Sequence, residues 1–192
     1  MISTFQHASL VLQAESQPLG QQVLSMQIVQ ATLPEHQHAV QSLFAEYLRW
    51  VCPTIFQQYR AVFDAESMIA HDMETIDIFM PPQGILLLAF ADEVAAGCAC
   101  TRTIGRKIAE MKRMYVRPVF RNRGIASALV QESIRLVSEM NYKELRLDSA
   151  GFMDAAHRVY RAAGFRDIPP YEGSEIPIEY QKHWVFMSLR LQ

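Results

Sequence analysis

The stretch Met111-Lys-Arg-Met-Tyr-Val-Arg-Pro-Val-Phe-Arg-Asn-Arg-Gly-Ile-Ala126 indicates an apolar strand, a short basic loop with one glycine, and the start of a helix. The first turn of a helix has backbone N–H groups without intrahelical partners, and with the helix dipole they form an anion site. Gly124 lets the backbone approach a phosphate, and Ala126 is small for the same reason. Arg121 and Arg123 add positive charge. The segment therefore predicts a site for a phosphate-bearing ligand.

The surroundings of this loop decide between an anion site and a basic loop that merely precedes a helix. The helix predicted over 124–140 has an apolar stripe that includes Ile125, Leu129 and Val137. A position between a strand and such an amphipathic helix favours the anion site. The three-glycine spacing of dinucleotide-binding folds is absent, and no Gly-Lys-Ser/Thr follows, so neither the Rossmann nor the P-loop motif applies.

The rest of the sequence predicts a single domain of mixed α/β (α+β) class over residues 26–192, preceded by an N-terminal extension over 1–25. Ser9–Gln13 is the best candidate for an extra strand in that extension. The order of elements predicts a largely antiparallel sheet with a central β-helix-β unit. Strands are predicted at 26–31, 84–91, 94–104, 108–116, 144–149, 165–168 and 185–191.

Three further helices are predicted from hydrophobic periodicity and end signals. The first runs over 34–51 and is ended by Pro53, since proline removes a backbone donor and clashes with the preceding turn. The second covers 55–70. The last is capped by Asp154 and ends at Gly164, a residue type suited to a left-handed terminator.

Composition narrows the class of protein without identifying it. The 192 residues are half apolar and one fifth charged, which is ordinary for a globular domain. A formal net charge of −2 gives no reason to expect a nucleic-acid partner, and no apolar run approaches the length of a membrane span. The start lacks a secretory pattern and three cysteines cannot build a disulfide framework, so we expect a cytoplasmic protein. Cys98 and Cys100 are expected to be buried hydrophobes, and no metal site is predicted.

Two motifs give the sequence a family resemblance. Arg121–Ala126 matches the motif Arg/Gln-x-x-Gly-x-Gly/Ala of the GNAT acetyltransferases. Tyr115–Pro118 resembles the approach to that loop in the family, and Tyr160–Phe165 resembles its Tyr-x-x-x-Gly-Phe signature. The spacing between the motifs also fits, and the resemblance extends over 26–191, with its strongest part at 110–165.

The resemblance implies a fold and an activity. The fold is the GNAT-type acyl-CoA N-acyltransferase fold, a mixed, mostly antiparallel sheet flanked by helices. The activity is transfer of an acetyl group from acetyl-CoA to a primary amine, by direct attack in a ternary complex. In such enzymes the strand before the loop splays from the next strand and the pantetheine arm lies in the gap, with Arg121–Ala126 on the pyrophosphate. The implied cofactor-binding residues are Met114, Tyr115, Val116, Arg121, Asn122, Arg123, Gly124, Ile125 and Ala126.

The resemblance also implies a general acid. Tyr160 matches the family tyrosine beside the cofactor sulfur, where it would give a proton to the departing thiolate. The alternative is a helix tyrosine that only packs. One position departs from the family pattern, because Met153 stands where a cofactor-contacting asparagine is frequent.

The proton acceptor is less defined by the sequence. A lysine-like amine has a pKa of about 10.4, so deprotonating it at pH 7 costs roughly 4–5 kcal/mol. Glu110 matches the catalytic glutamate of the histone-acetyltransferase branch, but Lys112 shares its strand face and would pair with it. His157, His183 and Asp148 are the alternatives.

The acceptor side is predicted only in outline. Specificity should lie in the helices of residues 34–70 and in the loop 169–182, where Glu172, Glu175 and Glu179 suit a cationic amine. A small-molecule amine and a peptide amine both remain open as acceptors. A non-catalytic acyl-CoA-binding module or sensor, and an unrelated α/β interaction domain, are the rival interpretations. The final strand and the N-terminal extension are candidate edges for a homodimer.

Overall fold

The fold is built on one mixed sheet with helices on both faces. The computed structural model describes Leu10–Val11 and residues 25–192. Within that part, the strand order is β1-β2-β3-β4-β5-β6-β8-β7. The strands are β1 Leu10–Val11, β2 Met26–Gln30, β3 Gly84–Ala91, β4 Val94–Gly105, β5 Ile108–Val116, β6 Glu144–Ala150, β7 Arg166–Ile168 and β8 Trp184–Arg190. The helices are α1 Gln37–Tyr59, α2 Ala65–Glu74, α3 Ile125–Glu139 and α4 Asp154–Ala162.

Strand β3 shows how the sheet is buried on both faces. Ile85 and Leu87 belong to the core that includes α3, whereas Leu86 and Leu88 belong to the core under α1. Successive side chains of a strand point to opposite faces, so a strand covered on both sides is apolar without alternation. The continuous apolar run that predicted β3 is explained by this double burial.

The parallel pair β5–β6 is the feature that positions the site. It is the one parallel pairing in the described sheet, and α3 provides the crossover that parallel neighbours require. Pairing extends only from Ile108↔Glu144 to Met111↔Leu147. Beyond Met111 the two strands are no longer paired, so they form a fork that is open between 112–116 and 148–150. We call this feature the fork.

Helix α1 contradicts the prediction that Pro53 ends it, and with it the prediction of a separate helix over 55–70. The helix continues through Pro53 to Tyr59, and α2 begins only at Ala65. An interior proline costs about 3 kcal/mol. Burial of Cys52 and Ile55 in the core offsets this cost, and the Thr54 hydroxyl donates to the Trp50 carbonyl at 2.8 Å beside the break.

The other predictions for elements had different outcomes. The strands at 26–31, 84–91, 94–104, 108–116, 144–149, 165–168 and 185–191 are confirmed within one or two residues, as is the helix at 124–140. Gly164 is confirmed as a left-handed terminator with φ 99°. Asp154 as a cap was wrong, because the N-cap is Met153 and no side chain makes a capping hydrogen bond.

The N-terminal extension is described only in part. Leu10 and Val11 pair antiparallel with Ile28 and Gln27, inside the stretch predicted as an extra strand. The rest of the predicted extension up to residue 24 lies outside the described residues. Among the described helices, none combines the length and the hydropathy that a membrane crossing needs.

Candidate active site

The start of α3 has the geometry predicted for an anion site. Gly124 is its N-cap with φ 80°, and no side chain caps the helix. A Cβ at Gly124 would meet no atom within 4 Å, so open space lies in front of the helix end. The Ala128 N–H is the first that reaches the Gly124 carbonyl, which leaves the N–H groups of 125–127 available to a ligand. The predicted anion donors are therefore in place, and no carboxylate of the described residues caps them.

A cleft of about 890 Å³ runs from this helix end along the open part of the fork. Eight of the nine predicted cofactor-binding residues line it: Met114, Tyr115, Val116, Arg121, Asn122, Gly124, Ile125 and Ala126. The ninth, Arg123, turns aside, with its guanidinium 5.7 Å from the centre of the Phe120 ring. Met153 lines the cleft as well, in the place of the expected asparagine.

Some main-chain groups of β5 point towards β4, and others point into the cleft. The Arg117 N–H donates to the Ala96 carbonyl on β4 at 2.9 Å. Because N–H groups along a regular strand point alternately to either side, that of Val116 points into the fork. The Val116 carbonyl accepts from Arg121 Nε at 3.1 Å. The strand thus offers a main-chain donor to a ligand in the cleft.

Tyr160 lies behind the cleft wall. It is 6% exposed, its ring centre is 5.9 Å from that of Phe165, and Ala156 and Val159 of the same helix line the cleft in front of it. Burial, followed by Tyr47 and Asp148, raises the pKa of Tyr160 far above its usual value. The hydroxyl is therefore protonated at neutral pH, and the raised pKa makes it a weaker proton donor than an exposed tyrosine.

Tyr47 was missed by the sequence reasoning. It lies on α1 with its ring centre 5.8 Å from that of Tyr115, and it lines the cleft. Burial is the main cause that raises the pKa of Tyr47 to about 12. Its position in the helical stripe predicted only core packing, because the contact with Tyr115 joins residues far apart in the sequence.

Glu110 is completely buried rather than solvated at the start of its strand. Its side chain is 0% exposed, and both carboxylate oxygens are hydrogen-bonded. The Tyr171 hydroxyl donates to Oε1 at 2.8 Å, and Arg102 Nε donates to Oε2 at 2.8 Å. Lys112 Nζ is 3.7 Å away, so the predicted pairing is present but loose. Burial, opposed by Lys112, raises the pKa of Glu110 above its usual value.

Asp148 lies at the base of the fork, on the face of the sheet that points away from α3. Its neighbours Leu147 and Ser149 point the other way along β6, because successive side chains alternate. The Ser174 hydroxyl donates to Asp148 Oδ2 at 3.1 Å, and Lys112 Nζ is 3.9 Å from the same oxygen. The side chain keeps 9% exposure. Asp148 therefore sits where β5 and β6 part.

A second cavity of about 580 Å³ opens on this face, between α2 and the sheet. Buried ion pairs line it. Arg113 donates to both oxygens of Asp72, at 2.5 and 2.8 Å, and has φ 52° where the register of β4 and β5 shifts. Glu175 from the loop 169–182 lies 2.5 Å from Arg102 and 3.0 Å from Lys112. We call this region the acceptor cavity, for the role that we propose for it below.

Both histidines considered as bases lie away from the two cavities. His157 is buried in α4 with Nε2 3.1 Å from the Ser149 hydroxyl, and burial lowers the pKa of His157. His183 stacks on Tyr59 with ring centres 4.6 Å apart. Neither lines the cleft or the acceptor cavity.

Sequence reasoning missed most of the acceptor cavity. Asp72, Arg102, Arg113 and Tyr171 were not singled out, although each contacts another charged or polar group of the site. They come from α2, β4, β5 and the long loop. No spacing in the sequence signals such a set, since only the folded sheet brings these segments together.

A mixed sheet with a forked parallel pair, and an uncapped helix end beside the fork, defines the acyl-CoA N-acyltransferase fold. The chain belongs to the acetyltransferase (GNAT) family, whose profile matches residues 39–165. This confirms the predicted family and fold.

Known relatives agree with this assignment. An uncharacterized N-acetyltransferase of Schizosaccharomyces pombe is 35% identical over 99 residues, covering 50% of this chain and 61% of that protein. The N-acetylaspartate synthetase of Danio rerio is 35% identical over 68 residues, covering 35% of this chain and 24% of that protein. The chain thus spans less than two thirds of the length of these relatives. The PaiA N-acetyltransferase of Thermoplasma acidophilum, solved with coenzyme A, has TM-score 0.67 and 18% identity, covering 86% of this chain and 99% of that one.

Proposed function

We propose that this protein is an acetyl-CoA-dependent N-acetyltransferase that acts on a primary amine in a ternary complex. The observation that carries the proposal is the cleft that joins the uncapped N-terminus of α3 to the open fork. A helix N-terminus binds phosphate groups through free N–H donors, and an unpaired strand edge binds an amide-containing chain by main-chain hydrogen bonds. Coenzyme A carries both groups in that order.

The reaction forms a bond between the amine nitrogen and the acetyl carbon and breaks the carbon–sulfur bond of the thioester. The nitrogen loses one proton and the sulfur gains one. Main-chain groups of Val116 and Met114 would hold the acetyl carbonyl and the pantetheine arm, since both residues line the cleft. Tyr160 would give the proton to the thiolate. Its place on α4, whose residues Ala156 and Val159 line the cleft, supports this role.

We assign the nearest proton acceptor to Asp148, and Glu110 to a supporting position. Asp148 lies where the strands part and retains some exposure, whereas Glu110 is fully buried with both oxygens occupied by Tyr171 and Arg102. Glu110 as the direct base would require those two partners to shift. Acting through them, Glu110 holds Arg102 and the loop against the site.

The names of the relatives do not identify the acceptor of this protein. One relative is an N-acetylaspartate synthetase, and one structural neighbour, of 16% identity and TM-score 0.56, is a ribosomal-protein-S18-alanine N-acetyltransferase of Escherichia coli. A small molecule and a peptide amine both fit the proposed reaction. The choice between them depends on the acceptor cavity of this chain.

An acceptor screen tests the function. The full chain is mixed with acetyl-CoA and a library of amines, amino acids and peptides, and release of the free thiol is followed. We expect release with at least one acceptor class and none with heat-denatured protein. Binding of coenzyme A by calorimetry without thiol release from any acceptor would instead support the non-catalytic module.

Two isosteric variants separate the carboxylates. Asp148→Asn should lower kcat about 10²-fold at neutral pH, because the proton acceptor is lost. Glu110→Gln should lower kcat less and should mainly raise KM for the acceptor, because it loosens Arg102. The reverse ranking of the two kcat values would return the role of base to Glu110.

A further inference from the structure

Glu175 is much more exposed than the two cationic side chains with which it pairs. Its carboxylate lies between Arg102 Nη1 at 2.5 Å and Lys112 Nζ at 3.0 Å. The two cationic side chains are only 16% and 8% exposed, whereas the Glu175 side chain is 50% exposed. A half-exposed loop residue therefore supplies the anion for two cations that are fixed on strands of the sheet.

Lys112 depends on that anion. The other carboxylates near its Nζ, those of Glu110 and Asp148, lie at 3.7 and 3.9 Å, beyond hydrogen-bonding distance. A buried ammonium group without a close anionic partner is costly. If the loop segment around Glu175 moves aside, the position between Arg102 and Lys112 becomes available to another carboxylate.

The place of these cations relates them to the acceptor. Arg102, Lys112 and Glu175 line the acceptor cavity, and Asp148, our assigned proton acceptor, lies 3.9 Å from Lys112. A group bound between Arg102 and Lys112 is therefore close to the base of the fork, where the reacting nitrogen must arrive. Lys112 Nζ lies 3.0 Å from the Glu175 carboxylate and 3.9 Å from Asp148, so one small molecule or one chain terminus could place a carboxylate at the first position and an amine near the second.

We infer that the acceptor carries a carboxylate as well as the reacting amine, and that this carboxylate replaces Glu175 between Arg102 and Lys112. The inference rests on the proposed N-acetyltransferase function and specifies its substrate class, of which amino acids are the simplest members.

Charge balance supports a zwitterionic acceptor. The cluster of Arg102, Lys112, Glu110, Asp148 and Glu175 contains two positive and three negative side chains. An amino acid that displaces Glu175 restores the lost negative charge and adds a positive one near Asp148, so the cluster becomes neutral. The sequence analysis expected Glu172, Glu175 and Glu179 to suit a cationic amine; in the structure, Glu175 already pairs with Arg102 and Lys112.

The test uses matched acceptors and the full chain. Free L-amino acids and their carboxamides are compared at saturating acetyl-CoA by thiol release. We expect kcat/KM for the free acids to exceed that for the amides by at least about tenfold, the ratio that one retained ion pair of about 1.4 kcal/mol gives. Lys112→Met should remove this preference, whereas Lys143→Met, an exposed lysine outside the cavity, should leave it unchanged.

Glu175→Gln provides a second variant, in which the side chain that is changed is itself half exposed. It should lower KM for the free acids several-fold, because the competing carboxylate is gone, and leave KM for the amides unchanged. This result keeps the inference testable if Lys112→Met fails to fold, which melting and coenzyme A binding would reveal.

Different failures have different meanings. Equal use of acids and amides, or an equal loss with both in Lys112→Met, would overturn the inference while leaving the acetyltransferase intact. Faster thiol release from succinyl-CoA than from acetyl-CoA, abolished in Lys112→Met, would assign the cations to the acyl group and also overturn it. Absence of thiol release with every acceptor would contradict the proposed function itself, and the inference with it.

Discussion

The two sides of the fork present different chemical groups to a ligand. On the proposed cofactor side, the cleft presents backbone N–H groups of α3 and β5 and mostly apolar side chains, and the charged Arg121 and Arg123 are exposed. On the acceptor side, the cavity is lined by side-chain charges that are nearly all buried and paired. Backbone geometry should therefore decide the first affinity, and electrostatic pairing the second.

This difference teaches where each side is vulnerable. A site made of backbone donors loses little when one surface side chain is truncated, because the donors remain. A site made of buried ion pairs suffers when one partner is removed, because the other charge is left without compensation. The four predictions below test that contrast, and they run from the largest expected effect to the smallest.

The cofactor side should fail when a charge is placed at the helix end. Gly124→Glu is expected to abolish measurable binding of coenzyme A in a calorimetric titration, because a carboxylate would stand before the phosphate donors. The melting temperature should fall by only about 2–8 °C, since a Cβ there meets no atom within 4 Å and only backbone strain is added.

Gly124→Asn is the matched control for that variant. It shares the positive φ but lacks the charge, so its affinity should lie between those of the wild type and Gly124→Glu. Wild-type affinity in the Glu variant would show that the diphosphate is bound elsewhere.

The acceptor side should lose stability when a buried pair is broken. Asp72→Ala leaves Arg113, whose side chain is 10% exposed, without its partner, so the free energy of unfolding should fall by about 3–5 kcal/mol in urea titrations. Asp167→Ala, which breaks the exposed pair with Arg161, should cost less than about 1 kcal/mol. Similar losses from both variants would remove the contrast between buried and exposed charge.

The proton donor should affect turnover and not binding. Tyr160→Phe keeps the packing against Phe165 but removes the hydroxyl, so kcat should fall about 10²-fold with unchanged affinity for coenzyme A. Tyr142→Phe, whose hydroxyl contacts Thr103 outside the cleft, is the control for loss of a phenol. Unchanged turnover of Tyr160→Phe across the pH range would leave Tyr160 as a packing residue.

The smallest effect concerns acid stability. Burial raises the pKa of Glu175, but Lys112 and Arg102 outweigh it and lower the value to about 2. A lowered folded-state pKa contributes stability that is present above the ordinary value of 4.5 and is lost as the pH falls towards about 2.

Glu175→Gln should therefore be less stable than wild type at pH 6 by up to about 1 kcal/mol, a modest amount because the side chain is half exposed. The difference should shrink by pH 3, as urea midpoints at the two pH values would show. A difference that grows on acidification would contradict the ion-pair assignment of Glu175.

The cofactor side could be predicted from the sequence much better than the acceptor side. The anion site could be read from the sequence because its parts are consecutive: strand, loop, Gly124 and helix start are one segment, and the geometry of a helix end is local. The strands could be read because burial on one or both faces imposes a pattern on neighbouring residues. The prediction that Pro53 ends α1 was wrong, because the rule that proline ends a helix takes no account of the burial of Cys52 and Ile55 in the core.

By itself, then, the sequence determined the order of the elements, the conformation of the loop at Gly124, and the family to which the chain belongs. Tertiary structure alone decided that β5 and β6 part after Met111, and that Asp72, Arg102, Lys112 and Glu175 meet on one face of the fork. The physical reason is the distance along the chain over which each kind of interaction acts. Backbone conformation and periodic burial act between near neighbours in the chain, whereas the pairing of buried charges depends on where distant segments are placed by the sheet.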